Sequence, residues 1–331
     1  MDYRFLGHTG IRVSELVFGT MSFGGDADEE TSAALYRRCR EAGINTFDCA
    51  DAYAGGRSEE LLGRFMAEER DQIVLATKGY FPGAGAGPND RGSSRFHLVR
   101  AVEASLKRLD TDRIDIYFVH RFDDITRLDE TLRALEDLVR QGKILHPAAS
   151  NFAAWQVAKG LGLQSARDYE PFCCIQPMYN LVKRQAEVEI LPQAAAEGLG
   201  VLPYSPLGAG LLTGKYGSAK RPSGGRLVDS QMYAIRYAAD DYYGVADRFC
   251  ALAQTRGVAP AALAIAWVAA HPAVSAPLIG ARNLEQLEGC LAATEVEMDD
   301  ELYAEIAALS PAPPPATDRN EESSDHNFGA R

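Results

Sequence analysis

Short apolar runs rich in β-branched and aromatic residues recur along the 331-residue chain, separated by longer stretches whose apolar positions repeat every three or four residues. The first pattern suits buried strands and the second amphipathic helices. The runs predict eight strands: Leu16 to Gly19, Asn45 to Asp48, Ile73 to Lys78, Ile114 to His120, Ile144 to Ser150, Cys173 to Gln176, Val201 to Ser205 and Ser275 to Gly280. Helices are predicted at Glu29 to Glu41, Arg95 to Leu109, Asp129 to Gln141, Ala153 to Leu161 and Glu189 to Glu197. In the third of these, Leu132, Leu135, Leu138 and Val139 form one apolar stripe with charge on the other face. Strand and helix alternating in this way predict parallel βαβ units. Eight of them in a chain of this length predict a (β/α)8 TIM barrel rather than an open doubly wound sheet.

Several segments fall outside that alternation. Tyr3 to Leu6 and Ile11 to Val13 flank a turn-like His8-Thr9-Gly10 and predict an N-terminal hairpin capping one mouth of the barrel. Residues 1 to 310 then form one barrel domain, and residues 311 to 331 a proline-rich polar tail. Two long loops at the C-terminal face, residues 79 to 95 and 206 to about 239, are rich in glycine, proline and serine; loops this long carry function or lack order. In the first, GAGAGP at residues 83 to 88 imitates a dinucleotide fingerprint. It does not open a helix directly after a strand, so it reads as loop.

Composition narrows the function classes. With 46% hydrophobic and 24% charged residues the chain can bury a large core, and a net charge of -12 argues against nucleic-acid or anionic-membrane partners. The N-terminus lacks a basic segment followed by an apolar stretch, so no signal peptide is expected, and the apolar run Ala259 to Val274 is too short to span a membrane and reads as a buried helix. The six cysteines have neither CxxC nor framework spacing, which points away from disulfides and metal and toward a reducing cytoplasm. A homo-oligomer is compatible with all of this.

In a barrel of this kind the chemistry sits at the C-terminal strand ends. Those positions read Asp48, Lys78, His120, Ser150 with Asn151, Gln176, Tyr204 and Gly280, nearly all polar on strands otherwise built for burial. Just beyond Asp48 lies Tyr53. A phenol is a poor acid at neutral pH; a lysine ammonium beside it stabilises phenolate, and a carboxylate keeps the lysine charged. Tyr53, Lys78 and Asp48 supply that set, with His120 to hold a carbonyl oxygen or pass the proton along. Cys49 reads as packing, and Asp51 as either a pocket residue or a turn cap. Arg121, Phe122 and Asp123 read equally as pocket lining or as a solvated loop.

The segments FDCADAY (47 to 53), ATK (76 to 78), IDIYFVH (114 to 120), SNF (150 to 152), QPMYN (176 to 180), YSPLGAGLLTGKY (204 to 216) and LIGARNLEQL (278 to 287) together resemble the aldo-keto reductases over nearly the whole chain. Within that family the sequence is similar to the branch of bacterial reductases related to potassium-channel β-subunits. The resemblance implies NADPH-dependent reduction of a small-molecule aldehyde or ketone by hydride transfer. Its tetrad would be Asp48, Tyr53, Lys78 and His120: Tyr53 the general acid, Lys78 with Asp48 lowering its pKa, and His120 orienting the substrate. For NADP(H) it implies Gly19, Thr20, Met21 and Asp48 near the nicotinamide, Ser150, Asn151 and Gln176 on the carboxamide, and Tyr204 stacked on the ring. Ser205, Pro206, Leu207, Gly208, Gly210 and Lys215 would wrap the pyrophosphate, Gly280 and Arg282 the 2′-phosphate, and Gln286 the adenine. A guanidinium at Arg282 favours NADP over NAD.

Two positions depart from the family pattern. Pro147 stands in the fifth strand, where it removes a ladder donor, and Cys290 stands where an adenine-binding asparagine is common. The expected substrate pocket includes Phe23, Tyr80, Phe81, Phe122 and Met178, and the neighbouring Asp51, Arg57 and Arg121 would suit a polar carbonyl such as a sugar. The alternatives are a slow-turnover NADP(H)-binding regulatory subunit and a sugar or alcohol dehydrogenase running oxidatively.

Overall fold

The computed structural model describes residues 1–83 and 87–324; part of the glycine run at 83 to 88 and the end of the predicted tail, 325–331, lie outside the described residues. Strands β1 (Tyr3–Phe5) and β2 (Arg12–Ser14) pair antiparallel as the expected hairpin. Eight parallel strands follow: β3 (Val17–Gly19), β4 (Thr46–Asp48), β5 (Val74–Gly79), β6 (Ile114–Val119), β7 (Ile144–Ser150), β8 (Cys174–Gln176), β9 (Gly200–Val201) and β10 (Leu278–Ile279). Their spatial order is β10-β3-β4-β5-β6-β7-β8-β9. The ring closes through Ser275 N–H to Val201 O (2.9 Å) and Leu278 N–H to Pro203 O (2.8 Å). The fold is a (β/α)8 barrel.

Alternation along each strand divides the apolar residues into two cores. Ile116 and Phe118 of β6 face inward with Ala76, Ala148, Cys174 and Leu202, and the hairpin adds Leu6 and Val13 from below. Tyr117 and Val119 face outward against the helices. Gly200 makes room for the plug, since a Cβ there would run into the Leu6 side chain.

The helices start where the chain offers caps. Asp28 accepts from Thr31 N–H ahead of the helix Glu29–Glu41, and Ser94 from His97 N–H ahead of Arg95–Leu109. The helix expected at Asp129 to Gln141 runs Leu128–Arg140 and buries Leu132, Leu135 and Leu138. The run read as a buried helix is Pro260–Ala270, with Leu263, Ile265, Trp267 and Val268 inside. Among the described residues no single helix is long and apolar enough to cross a membrane.

Some boundaries differ from expectation. Paired strand stops at Val201 rather than Ser205 because Pro203 and Pro206 have no N–H to donate; Tyr204 keeps only a bridge to Met178. The last strand shrinks to Leu278–Ile279 beside Pro277 for the same reason. The loop 206 to 239 contains the short helices Arg226–Asp229 and Gln231–Arg236. Pro147 does not disturb its strand. It lies opposite Tyr117 inside β7, and its carbonyl accepts from Cys173 N–H at 2.9 Å. Its missing donor would have met the chain ahead of β8, before pairing with β7 begins at Ala149, so Ser150 stays in register with Gln176.

The helix Arg57–Met66, which follows the turn carrying Tyr53, packs on the end of Arg95–Leu109 through Gly63. A Cβ at Gly63 would overlap the Leu109 carbonyl, which is backbone and has no rotamer to yield. Gly63→Ala is expected to destabilise the protein by about 1–3 kcal/mol, the usual cost of overpacking, read as a lowered urea midpoint at unchanged slope.

Candidate active site

Asp48 ends β4 and Lys78 is the penultimate residue of β5, with 1% and 0% of their surfaces exposed. Lys78 shares the inward face of β5 with Ala76, so its ammonium projects into the barrel. All three of its donors are taken: Nζ lies 2.5 Å from Asp48 Oδ2, 2.7 Å from Cys49 O and 3.4 Å from Tyr53 Oη. The other carboxylate oxygen of Asp48 accepts from Gln176 Nε2 at 2.8 Å. Tyr53 comes from a turn whose next residues, Ala54, Gly55 and Gly56, are all left-handed. That bend places its ring centroid 5.1 Å from the Lys78 ammonium and 6.1 Å from the His120 ring, edge to face. Phe81 meets the other side of His120 at 4.9 Å, and the buried His120 Nδ1 has no protein partner.

Burial sets the protonation of this group. Desolvation alone would lower Lys78, but Asp48 and Tyr53 outweigh it and hold its pKa above the ordinary value. His120 is driven down to about 3, by burial first and by the Lys78 charge second, so it is a neutral imidazole. For Tyr53 the expectation reverses. Lys78 does pull its pKa down, but burial wins and the phenol is pushed up to about 12. The hydroxyl therefore keeps its proton throughout the neutral range.

The strand ends beyond Asp48 are linked by hydrogen bonds. Ser150 Oγ donates to Gln176 O (3.1 Å), Asn151 Nδ2 donates to His120 O (2.9 Å) and Ser150 Oγ (3.0 Å), and Tyr204 Oη donates to Asn151 Oδ1 (2.7 Å). The Gln176 amide nitrogen is thus committed to Asp48. In the next segment Ser205, Gly208, Ala209 and Gly210 are left-handed, so the backbone turns sharply, and Gly210 N–H donates to Leu207 O at 3.0 Å. Exposed Lys215 borders this segment beside Gly225, where a Cβ would strike its ammonium. Pro206 and Leu207 supply the turn between Ser205 and Gly208, whose N–H donates back to Ser205 O at 3.0 Å.

Across the mouth, Gly280 is exposed, Arg282 pairs with Asp26 at 2.9 Å, and Gln286 Oε1 accepts from Arg282 N–H at 3.0 Å. Gly19 ends β3 and Met21 is exposed beyond it. Thr20 between them is fully buried, its hydroxyl spent on Asp48 O (3.2 Å) and Ser58 Oγ (2.9 Å), so it braces β3 against β4. Cys290 is also inside, 2% exposed on the packed face of Leu284–Leu291, with burial pushing its thiol up to about 12.

Other expected pocket residues turn away. Phe23 is fully buried against Phe18 and Phe65. Arg57 is held by Glu29 and Glu60, each at 2.8 Å. Asp123 is a staple between loops, accepting from Ser93 N–H (2.8 Å) and Thr126 Oγ1 (2.7 Å). Phe122 packs between Phe152 and Trp155. Arg226 escaped the sequence reading; it lies over the Tyr233 ring at 5.3 Å and has no carboxylate partner among the described residues. Its only signal was a lone arginine at the end of a glycine-rich insertion.

Asp48 and Lys78, buried, and Tyr53 and His120, half-buried, thus meet at the C-terminal mouth of a parallel barrel. The Aldo/keto reductase family model matches residues 15–311, and the chain belongs to that family. It is 38% identical, over 95% of its length and 97% of the relative's, to "Uncharacterized oxidoreductase YrpG" of Bacillus subtilis. It is 36% identical to "Probable voltage-gated potassium channel subunit beta" of Oryza sativa, over 96% of this chain and 99% of that one. To "Norsolorinic acid reductase stcV" of Emericella nidulans it is 37% identical over 91% and 79%. The family carries out carbonyl chemistry with NAD(P)H.

The ion pair gives the site a stability signature. Lys78→Met strands a buried carboxylate with only the Gln176 amide, at a cost of about 3–5 kcal/mol. Adding Asp48→Asn is expected to recover part of that loss. Urea unfolding of both variants measures it, and no recovery in the double variant would contradict the pairing.

Proposed function

We propose that the protein is an NADPH-dependent carbonyl reductase in which Tyr53 is the general acid. The observation that carries this reading is the Lys78 ammonium held between the Asp48 carboxylate and the Tyr53 hydroxyl, 2.5 Å and 3.4 Å away, beside a neutral histidine. Asn151, Ser150 and Gln176 would hold the nicotinamide side with Tyr204. The Ser205 to Gly210 turn with Lys215 and Arg226 would hold the diphosphate, and Arg282, Gln286 and Gly280 the adenosine end. When bound, the dihydronicotinamide supplies the hydride for the carbonyl carbon. Tyr53 keeps its proton on Oη until the carbonyl oxygen gains negative charge, then donates it. His120, uncharged, holds that oxygen without competing for the proton.

The pocket favours an aromatic or apolar carbonyl over a sugar. Phe81 closes on His120, with Tyr80 packed on Phe81 at 5.2 Å; of the polar groups considered for a sugar, Arg57 is held by Glu29 and Asp51 has its Oδ1 buried, leaving exposed Arg121. An aryl aldehyde is expected to show higher kcat/KM than an aldose of similar size. The relatives named as channel subunits favour a second reading, a slow redox-sensing subunit. Tight NADPH binding with negligible turnover across a carbonyl panel would select it.

Tyr53→Phe is expected to lower kcat by about 10²–10⁴-fold, the range for removing a general acid, with NADPH affinity little changed. Parent-like turnover in that variant would end the assignment. Arg282→Ala is expected to raise the KM for NADPH by roughly tenfold or more, the worth of a charged hydrogen bond, while leaving that for NADH unchanged. Equal effects on both cofactors would count against a 2′-phosphate contact.

A further inference from the structure

On the outer side of the barrel wall from Lys78 lies a second ionisable group that the proposed chemistry does not use. Tyr117 points outward from β6 with its hydroxyl over Gly79, where any Cβ would overlap it. Glu59, fully buried on Arg57–Met66, accepts from Thr77 Oγ1 at 2.6 Å and from Arg108 Nε at 2.7 Å. Arg108 in turn rests on Gly56, where a Cβ would come within 2.8 Å of its Cδ. Asp51 completes the group. Its N–H donates to Lys78 O at 3.0 Å, yet its carboxyl oxygen Oδ1 is buried with no partner, as is the Tyr117 hydroxyl.

The charge count is unbalanced. The charged groups acting on Asp51 are Glu59, Arg108 and Lys78, with the Ala52 N–H also favouring its carboxylate and Tyr117 nearby, and Lys78 is already paired with Asp48 through the wall. One fully buried acid, Glu59, and one half-buried acid, Asp51, whose Oδ1 is buried, therefore share one guanidinium, and an uncompensated charge on that buried oxygen is avoided if one acid keeps a proton. Glu59 has the ion pair, so the proton falls to Asp51. Burial first and Glu59 second raise its pKa to about 7, against the pull of Arg108.

This group also grips both ends of the turn that carries Tyr53. The backbone N–H of Asp51 ties the entry to the Lys78 carbonyl, whatever the state of its carboxyl, and Arg108 covers Gly56 at the exit of a left-handed run that no sheet ladder supports. We propose that Asp51 is a positioning residue for Tyr53: as the neutral acid it leaves Arg108 on Glu59 and Gly56. On releasing its proton to solvent it competes for Arg108 and loosens the turn. The inference rests on Tyr53 being the proton donor. The active form is the protonated one, so turnover falls as pH rises. The site's own groups are silent near neutrality, with His120 near 3 and Tyr53 near 12.

The test uses the full chain with NADPH and 4-nitrobenzaldehyde at saturation. The parent kcat is expected to fall about tenfold from about pH 6 to about pH 9, the worth of one hydrogen bond lost in the transition state, with KM little changed. Asp51→Asn is expected to flatten that limb. Hydrogen exchange of amides 50–56, corrected for the intrinsic pH dependence, is expected to lose protection across the same range in the parent and not in the variant. Should Asp51→Asn fail to fold, an infrared carboxylic-acid band in the parent that titrates near neutrality together with the exchange switch supports the inference. Absence of either overturns it. An unchanged limb in a folded Asp51→Asn also overturns it. An exchange switch that follows Asp51 in a protein whose turnover is indifferent to Tyr53→Phe overturns instead the reading of Tyr53 as the acid.

Discussion

The Lys78 ammonium is taken wholly out of water, and such a charge is tolerated only because each of its three N–H groups finds an oxygen. That requirement organises the mouth of the barrel. Asp48 ends β4 opposite Ala76 of β5, and Lys78, two residues further along the same inward face, reaches back to it. Gln176 must arrive from β8, on the far side of the ring, to hold the second oxygen of Asp48. The contact spans 128 residues of sequence and forms only when the sheet has curled shut. An open sheet with the same strand order would leave the carboxylate half satisfied.

Closure in turn depends on features remote from the site. The hairpin fills the lower mouth with Leu6 and Val13, and the Pro203 and Val201 carbonyls receive the N–H groups of the last strand segment. The small inward residues Ala76 and Ala148 leave the barrel interior narrow, with Phe118 facing the Lys78 ammonium at 5.9 Å. The site therefore inherits rigidity from packing rather than from its loops. The left-handed turn after Tyr53 lies outside the sheet, and there helix-to-helix contacts through Gly63 and Arg108 hold it instead.

Much of this was legible in the sequence because β-branched runs and the polar residues that end them obey the strand period. Asp48, Lys78 and His120 could be read from position alone, and Pro147 was conspicuous enough to raise a false alarm. What could not be read was direction. Asp51, Arg57 and Phe23 lie as near to Tyr53 or the mouth in sequence as the residues that face it, and only the helix packing turns them away. The balance between a lysine that lowers a phenol pKa and a cavity that raises it is likewise a property of the closed fold. The same holds for Thr20, whose place after a strand end suits a ligand contact but whose hydroxyl is consumed by β4.

That balance bears on how such a site can work. If the Lys78 field acted alone, Tyr53 would be partly phenolate near neutrality and useless as a donor. Asp48 neutralises most of that field, and burial removes the water that would stabilise a phenolate, so the proton stays on Oη. In the proposed reduction, once negative charge grows on an oxygen beside Tyr53, donation moves charge rather than creating it, and the desolvated ammonium 3.4 Å away would stabilise the phenolate left behind. A neutral His120 fits the same logic, because an imidazolium there would offer its own proton to that oxygen and would raise the cost of keeping Lys78 charged.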